Sequence, residues 1–241
     1  MGRVVSDLGV IAVLGDPVRR RLYDYVTAQD HEVSRGEAAA ATGIQRPLAA
    51  FHLDRLAEAG LVEVTFRRTT GRSGPGAGRP AKLYRRAAGE HQVSVPPRDY
   101  RGAAELLAGV VDMIGGEQEL QRAARSRGAA AGRSALRNAA ETEQGSRLAG
   151  ARDAEAGDRD RLTGALAEQG YQPYPDGPEI RLRNCPFHAL ADRYPPLICG
   201  MNLALLEGLI EGAAVTGMAA RLDPRPDECC VVMTSSKNNE H

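Results

Sequence analysis

With 241 residues the chain can form one large domain or two small ones around a real core, and with 4% aromatic residues and no Trp that core falls to Leu, Val, Ile and Ala. A net charge of zero argues against a general nucleic-acid coat protein, but the charge is uneven: from Leu61 to Arg86 seven basic residues (Arg67, Arg68, Arg72, Arg79, Lys82, Arg85 and Arg86) meet one acid, Glu63. Such a local excess is the footprint of an element that contacts phosphates. The start of the chain has no charged-then-apolar leader, so no export signal is read. The apolar stretch Leu197–Ala220 contains Glu207 and Glu211, which suits an amphipathic core helix better than a membrane span. A cytoplasmic protein without a membrane partner is expected, its four cysteines free thiols or metal ligands rather than disulfides.

In chain order, Leu8, Ile11 and Ala12 recur at helical spacing, and Asp16-Pro17 opens a second helix with Pro in its first turn. That helix places Val18, Leu22, Tyr25 and Val26 on one face. Ser34 with Glu37 three residues on predicts a capped, alanine-rich helix ending near Gly43. A helix from Arg46 to Ala59 follows, carrying Leu48, Phe51, Leu53 and Leu56 inward, and Gly60 stops it. Leu61–Phe66 and Ala81–Arg85 read as paired strands, joined by a glycine- and proline-rich tip. Val95-Pro96-Pro97 marks a linker, and Tyr100–Ile114 is helical with Ala103, Leu106, Leu107, Val110 and Ile114 as an apolar stripe. Glu117–Glu168, rich in Ala, Arg and Glu and broken by glycines, reads as two helices with frayed joints. Pro173–Pro178 is then a turn, Glu179–Arg183 a strand, Pro195–Glu211 a helix and Cys229–Met233 a final strand.

The fold expected is α+β: a winged helix–turn–helix over 1–90, a helical linker or dimerisation region over 91–165, and an α+β sensor domain over 166–241. A short helix joined by a tight turn to a second one lets the second enter the major groove, its N-terminal residues toward base edges. Here that helix begins Gln45-Arg46-Pro47, and its exposed face is expected to continue through Ala49, His52 and Arg55. Arg suits guanine and Gln suits adenine. Arg67, Arg68, Arg72, Arg79 and Lys82 would lie along the sugar–phosphate backbone and supply affinity without sequence choice. No P-loop, Gly-x-Gly-x-x-Gly after a strand, Gly-x-Ser-x-Gly or His-Glu-x-x-His occurs, and with five His there is little general-base chemistry, so no enzyme is expected.

The run Leu14-Gly15-Asp16-Pro17-Val18-Arg19-Arg20-Arg21-Leu22-Tyr23, followed by Phe51-His52-Leu53-Asp54-Arg55-Leu56-Ala57-Glu58-Ala59-Gly60-Leu61-Val62, resembles the winged helix–turn–helix of ArsR-like bacterial repressors. Gly78-Arg79-Pro80-Ala81-Lys82-Leu83-Tyr84 is similar to the wing of the subset that includes the Suf-type repressors of iron–sulfur cluster assembly. The resemblance implies a transcriptional regulator, usually dimeric, on a palindromic operator in double-stranded DNA. The paired cysteines of ordinary ArsR metal sensors are absent from this region, since all four cysteines lie beyond residue 184.

Those cysteines begin at Asn184-Cys185-Pro186-Phe187-His188 and continue with Cys199 and Cys229-Cys230. Cys185 and His188 are close enough in a tight turn to share a metal. On a strand Cys229 and Cys230 would point to opposite faces, so one would join Cys185 and Cys199 and the other would be core. Three thiolates and one other ligand suit a zinc site or an iron–sulfur cluster, and the spacing matches no standard motif. Cys-Pro-Phe-His, Cys199 ahead of Asn202-Leu203-Ala204-Leu205-Leu206-Glu207-Gly208, and the final Cys pair resemble the C-terminal domain of Suf-type repressors, whose cysteines hold an iron–sulfur cluster. Structural thiols, with regulation by an organic effector or a partner protein, are the alternative.

Overall fold

The computed structural model describes residues 7–67, 80–145, 154–226 and 228–236, without the side chains of 140–145 and 154–156. The chain divides into two compact units, Met1–Arg98 and Asp99–His241.

In the first unit α1 (Asp7–Val13) precedes α2 (Pro17–Ala28), whose N-cap Asp16 accepts hydrogen bonds from the Val18 and Arg19 amides. The two-residue strand β1 (Val33–Ser34) leads into α3 (Arg35–Thr42), which has a complete capping box: Ser34 takes the Glu37 amide, and Glu37 takes the Ser34 amide. Helix α4 (Arg46–Glu58) follows, then β2 (Val62–Arg67) and β3 (Ala81–Arg86). Gly43 (φ 68°) and Gly60 (φ 77°) end α3 and α4 in the left-handed region. The Ile44 amide donates to the Ala39 carbonyl, and the Leu61 amide to that of Leu56, closing both ends. β3 lies between β1 and β2 in an antiparallel sheet, with Val33 opposite Tyr84 and Val64 opposite Tyr84 from the other side. Leu22, Val26, Val33, Ala38, Leu53, Leu56 and Tyr84 form the core.

The second unit starts with α5 (Tyr100–Met113), α6 (Glu117–Gly145) and α7 (Ala154–Glu168). A hairpin of β4 (Pro173–Asp176) and β5 (Glu179–Leu182) follows, then α8 (His188–Ala191), α9 (Pro195–Gly212), β6 (Met218–Leu222) and β7 (Val231–Ser235). The sheet runs β4-β5-β7-β6, antiparallel throughout. Pro173–Pro178, expected as a turn, is largely the edge strand β4, where proline costs no ladder hydrogen bond to a second neighbour. β1, α8 and β6 were not expected.

Helices α6 and α9 cross backbone to backbone. A Cβ at Gly128 would overlap the Leu205 carbonyl, one at Gly132 that of Leu209, one at Gly208 that of Arg125 and one at Gly212 that of Ala129. Two glycines four residues apart on each helix thus form the meeting stripe, and α6 runs unbroken through Gly128 and Gly132. Arg125 bridges to Glu207 at 2.7 Å and to Glu211 beside the crossing. Those two carboxylates are the ones that interrupt the apolar stretch, and no helix among the described residues is long and apolar enough to cross a membrane. Ala124 and Ala135 of α6, Leu162 and Leu166 of α7, Leu206 and Leu209 of α9 and Val231 and Met233 of β7 share one core. The helices expected as a separate linker are therefore part of the same unit as the sheet.

Candidate nucleic-acid interface and cysteine group

Helix α4 buries Ala49, His52, Leu53 and Leu56, a stripe at helical spacing. The opposite side presents Gln45, Arg46, Pro47, Leu48, Phe51 and Arg55 to solvent. Gln45, the N-cap, makes no side-chain capping bond, so its amide is not committed to the helix end. The Arg55 guanidinium lies 5.7 Å from the centre of the Phe51 ring and bonds Glu58 at 3.0 Å. The expected outward face was Ala49, His52 and Arg55. His52 is instead 6% exposed, and the helix is turned by about one residue, or roughly 100°. Ala38, Ala39 and Ala49 explain the choice: with small residues at the contact, α3 and α4 pack closely and the Ala49 side faces inward.

The wing is tied to α4 through Asp54. Its carboxylate accepts Lys82 at 2.6 Å and the Tyr84 hydroxyl at 2.5 Å, with Arg35 3.5 Å away. Burial works to raise the Asp54 carboxyl, but the bonds from Lys82 and Tyr84 outweigh it and hold it below the usual carboxylate range. Burial first, then the bond to Asp54, pushes Tyr84 up to about 12. Arg67 pairs with Glu32, which also accepts Thr65 at 2.8 Å, and Arg85 pairs with Glu63 at 2.7 Å.

In the second unit Cys185 follows β5, Cys199 lies in the first turns of α9, and Cys229-Cys230 occupy the bend just before β7. The Cys229 amide donates to the Leu182 carbonyl at 3.0 Å and the Cys230 carbonyl accepts from Asp223 at 2.8 Å, which pins the bend between β5 and the end of β6. Asn202 on α9 donates to the Cys229 sulfur at 3.2 Å and stands 4.0 Å from that of Cys185, while its carbonyl accepts the Tyr171 hydroxyl. The neighbouring thiols of Cys185 and Cys230, with the Val231 amide and Asn202, hold Cys229 well below the ordinary thiol range against the cost of burial. Cys185 and Cys230 are pushed up, first by the neighbouring Cys229 and then by burial.

Residues 14–65 match a family model described as "Helix-turn-helix domain", of ArsR type. The first unit carries a helix–turn–helix domain. It points to a DNA-binding regulator. The match ends at Thr65 and does not reach the cysteine-bearing unit. No curated protein and no solved structure matches the chain.

Measured against this helix–turn–helix, Gln45, Arg46 and Arg55 stand on the outward side of the second helix, and His52 does not. Lys82 is held by Asp54 and leans 5.4 Å from the Tyr84 ring, so it joins the wing to the helix. Arg67 stays exposed while paired with Glu32. Arg68, Arg72 and Arg79 lie outside the described residues. Among the ligand candidates, His188 turns away: its side chain is 68% exposed and its ring is 3.7 Å from Asp192. Cys229 and Cys230 precede the strand instead of lying on it, so the argument from alternating faces does not apply. Asn202 and Tyr171 beside the thiols were not anticipated, although Asn202 is a polar residue in the middle of an apolar helix, a visible signal. Among the described residues no three of His, Cys, Asp and Glu are spaced to hold a metal ion.

Proposed function

We propose that the chain is a cytoplasmic transcriptional repressor. It binds a palindromic operator as a homodimer and takes its signal through the cysteines of its second unit. The observation that carries the reading is the helix–turn–helix domain, whose second helix keeps Gln45, Arg46 and Arg55 on its solvent side. The face of α5 supports the dimer. Leu106 is 76% exposed, and Leu107, Val110, Met113 and Ile114 are also exposed, while Ala108 on the other side is buried. Ala103, Leu106, Val110 and Met113 alternate three and four residues apart, the seam spacing of paired helices. In an antiparallel pair of copies, Arg101 near one end would approach Asp112 near the other.

The donors around Cys229 fit a soft metal or an iron–sulfur cluster in kind: thiols from Cys185, Cys199, Cys229 and Cys230, with amide donors to sulfur from Phe187, Val231 and Asn202. Among the described residues they are not spaced to hold a metal ion. A cluster or zinc there would supply a redox- or metal-sensitive tie between the turn after β5, helix α9 and the bend before β7. The same spacing favours a second reading, in which the thiols are structural and the effector is organic or a protein.

Gel-shift titration of the full chain at fixed salt on duplexes selected from a random pool tests the regulator. A single preferred palindromic site supports it, and indifference to sequence refutes it. Iron, sulfide and zinc analysis of anaerobically purified protein separates the readings of the cysteines. Stoichiometric metal lost in Cys185→Ser and Cys199→Ser supports the metal, and metal-free protein with unchanged operator affinity leaves the thiols structural. Leu106→Glu with Val110→Glu is expected to halve the mass in analytical ultracentrifugation.

A further inference from the structure

Two large apolar side chains, Leu48 (43% exposed) and Phe51 (54% exposed), stand on the outward side of α4 between Gln45-Arg46 and Arg55. By composition both belong to the core, yet the fold leaves them in water among the polar groups that suit base edges. We infer that Phe51 and Leu48 contact thymine methyl groups in the major groove, so that the operator is selected partly by its thymines. This rests on the DNA-binding reading above.

The chemistry favours that occupant. The C5 methyl of thymine is the apolar group that base edges offer in the major groove, and Phe is among its recognised partners. The ring of Phe51 is braced: His52 meets it edge-on with centroids 5.2 Å apart and an angle of 70°, and Arg55 covers it from 5.7 Å. A braced ring presents one shape to the groove and loses little freedom on binding. Leu48 precedes Phe51 by three residues on the same side of the helix, a rise of about 4.5 Å. Base pairs along one strand are about 3.4 Å apart, so the two side chains address neighbouring steps. Arg46 and Gln45, a half turn earlier, then fall beside a purine next to those thymines.

The test removes methyl groups from the DNA without touching the protein. Duplexes preferred by the full chain are resynthesised with deoxyuridine for thymine, one position at a time, and titrated at fixed salt with wild type, Phe51→Ala and Leu48→Ala. At one or two adjacent thymines the wild type is expected to lose about fourfold in affinity, the size of one buried methyl, with each variant indifferent at one of them. The inference is overturned if the wild type selects a duplex yet ignores deoxyuridine at every position, or if both variants still discriminate. It is also overturned if Phe51→Ala changes the oligomeric mass while methyl discrimination persists, which would give the face to a protein partner. Failure to select any duplex removes the DNA-binding reading together with this inference. The deoxyuridine series on wild type stands even if a variant misfolds.

Discussion

The two units solve the same problem, a small antiparallel sheet covered by helices, with different means. In the first, helix ends are closed by residues next to them in sequence: Asp16 on α2, Ser34 and Glu37 on α3, Gly43 and Gly60 at two C-termini. In the second, the principal contact joins α6 to α9 across some eighty residues, and its glycines gain meaning only when the helices meet. Its buried Arg181, surrounded by Asp176, Glu179, Asp223 and Glu228, likewise depends on a sheet assembled from distant strands. Local closure leaves the first unit free to expose costly residues on α4. The second unit fixes its cysteine bend through backbone bonds to Leu182 and Asp223.

Glycine substitutions break the comparison most sharply. Gly208→Ala forces α9 away from the Arg125 backbone and is expected to cost about 1–3 kcal/mol, although alanine ordinarily favours a helix. Gly164→Ala on α7, where a Cβ meets nothing within 4 Å, is expected to stabilise by up to about 1 kcal/mol. Denaturant unfolding of the full chain, with amide exchange in α9 as the local readout, checks both signs. In the first unit the largest effect is expected from Tyr84→Phe, which strips a buried donor from the Asp54 carboxylate. A loss of about 1.5–3 kcal/mol should show as faster exchange in β3 and α4. Ser34→Ala removes half of the capping box, costs about 1 kcal/mol and should act on α3 alone.

The smallest effect concerns pH. His31 bonds Glu37 at 2.7 Å and Asp30 at 3.1 Å, and the bond to Glu37, then that to Asp30, raise it above the ordinary histidine value. Its contribution is therefore fully present below about pH 6.5 and is lost as pH rises through the higher folded value. His31 is exposed, so the effect is small. The melting-temperature difference between wild type and His31→Gln should be greater at about pH 5.5 than at about pH 8.5. An equal difference at both removes the pairing from the account.

Among the site residues, legibility followed the distance over which each decision is made. That Gln45, Arg46 and Arg55 face solvent was readable because they open or end a helix whose start and stop are spelled locally. His52, Leu48 and Phe51 were not, since α4 carries apolar residues on two sides and only its neighbours decide which is buried. The cysteine bend escaped for a related reason: a two-residue shift in where β7 begins, set by pairing with β6, changes which way two sulfurs point.

By itself, then, the sequence determined the caps, the stops, the order of helices and wing in the first unit, and the chemical kinds of residue available to touch DNA or metal. Those follow from hydrogen bonds and backbone freedom within a few residues. The tertiary structure alone decided the rotation of α4, the embrace of Lys82 by Asp54, the glycine crossing of α6 with α9 and the contact of Asn202 with the Cys229 sulfur. Close packing between distant segments admits one arrangement of volumes and polar partners, and no local pattern encodes which one.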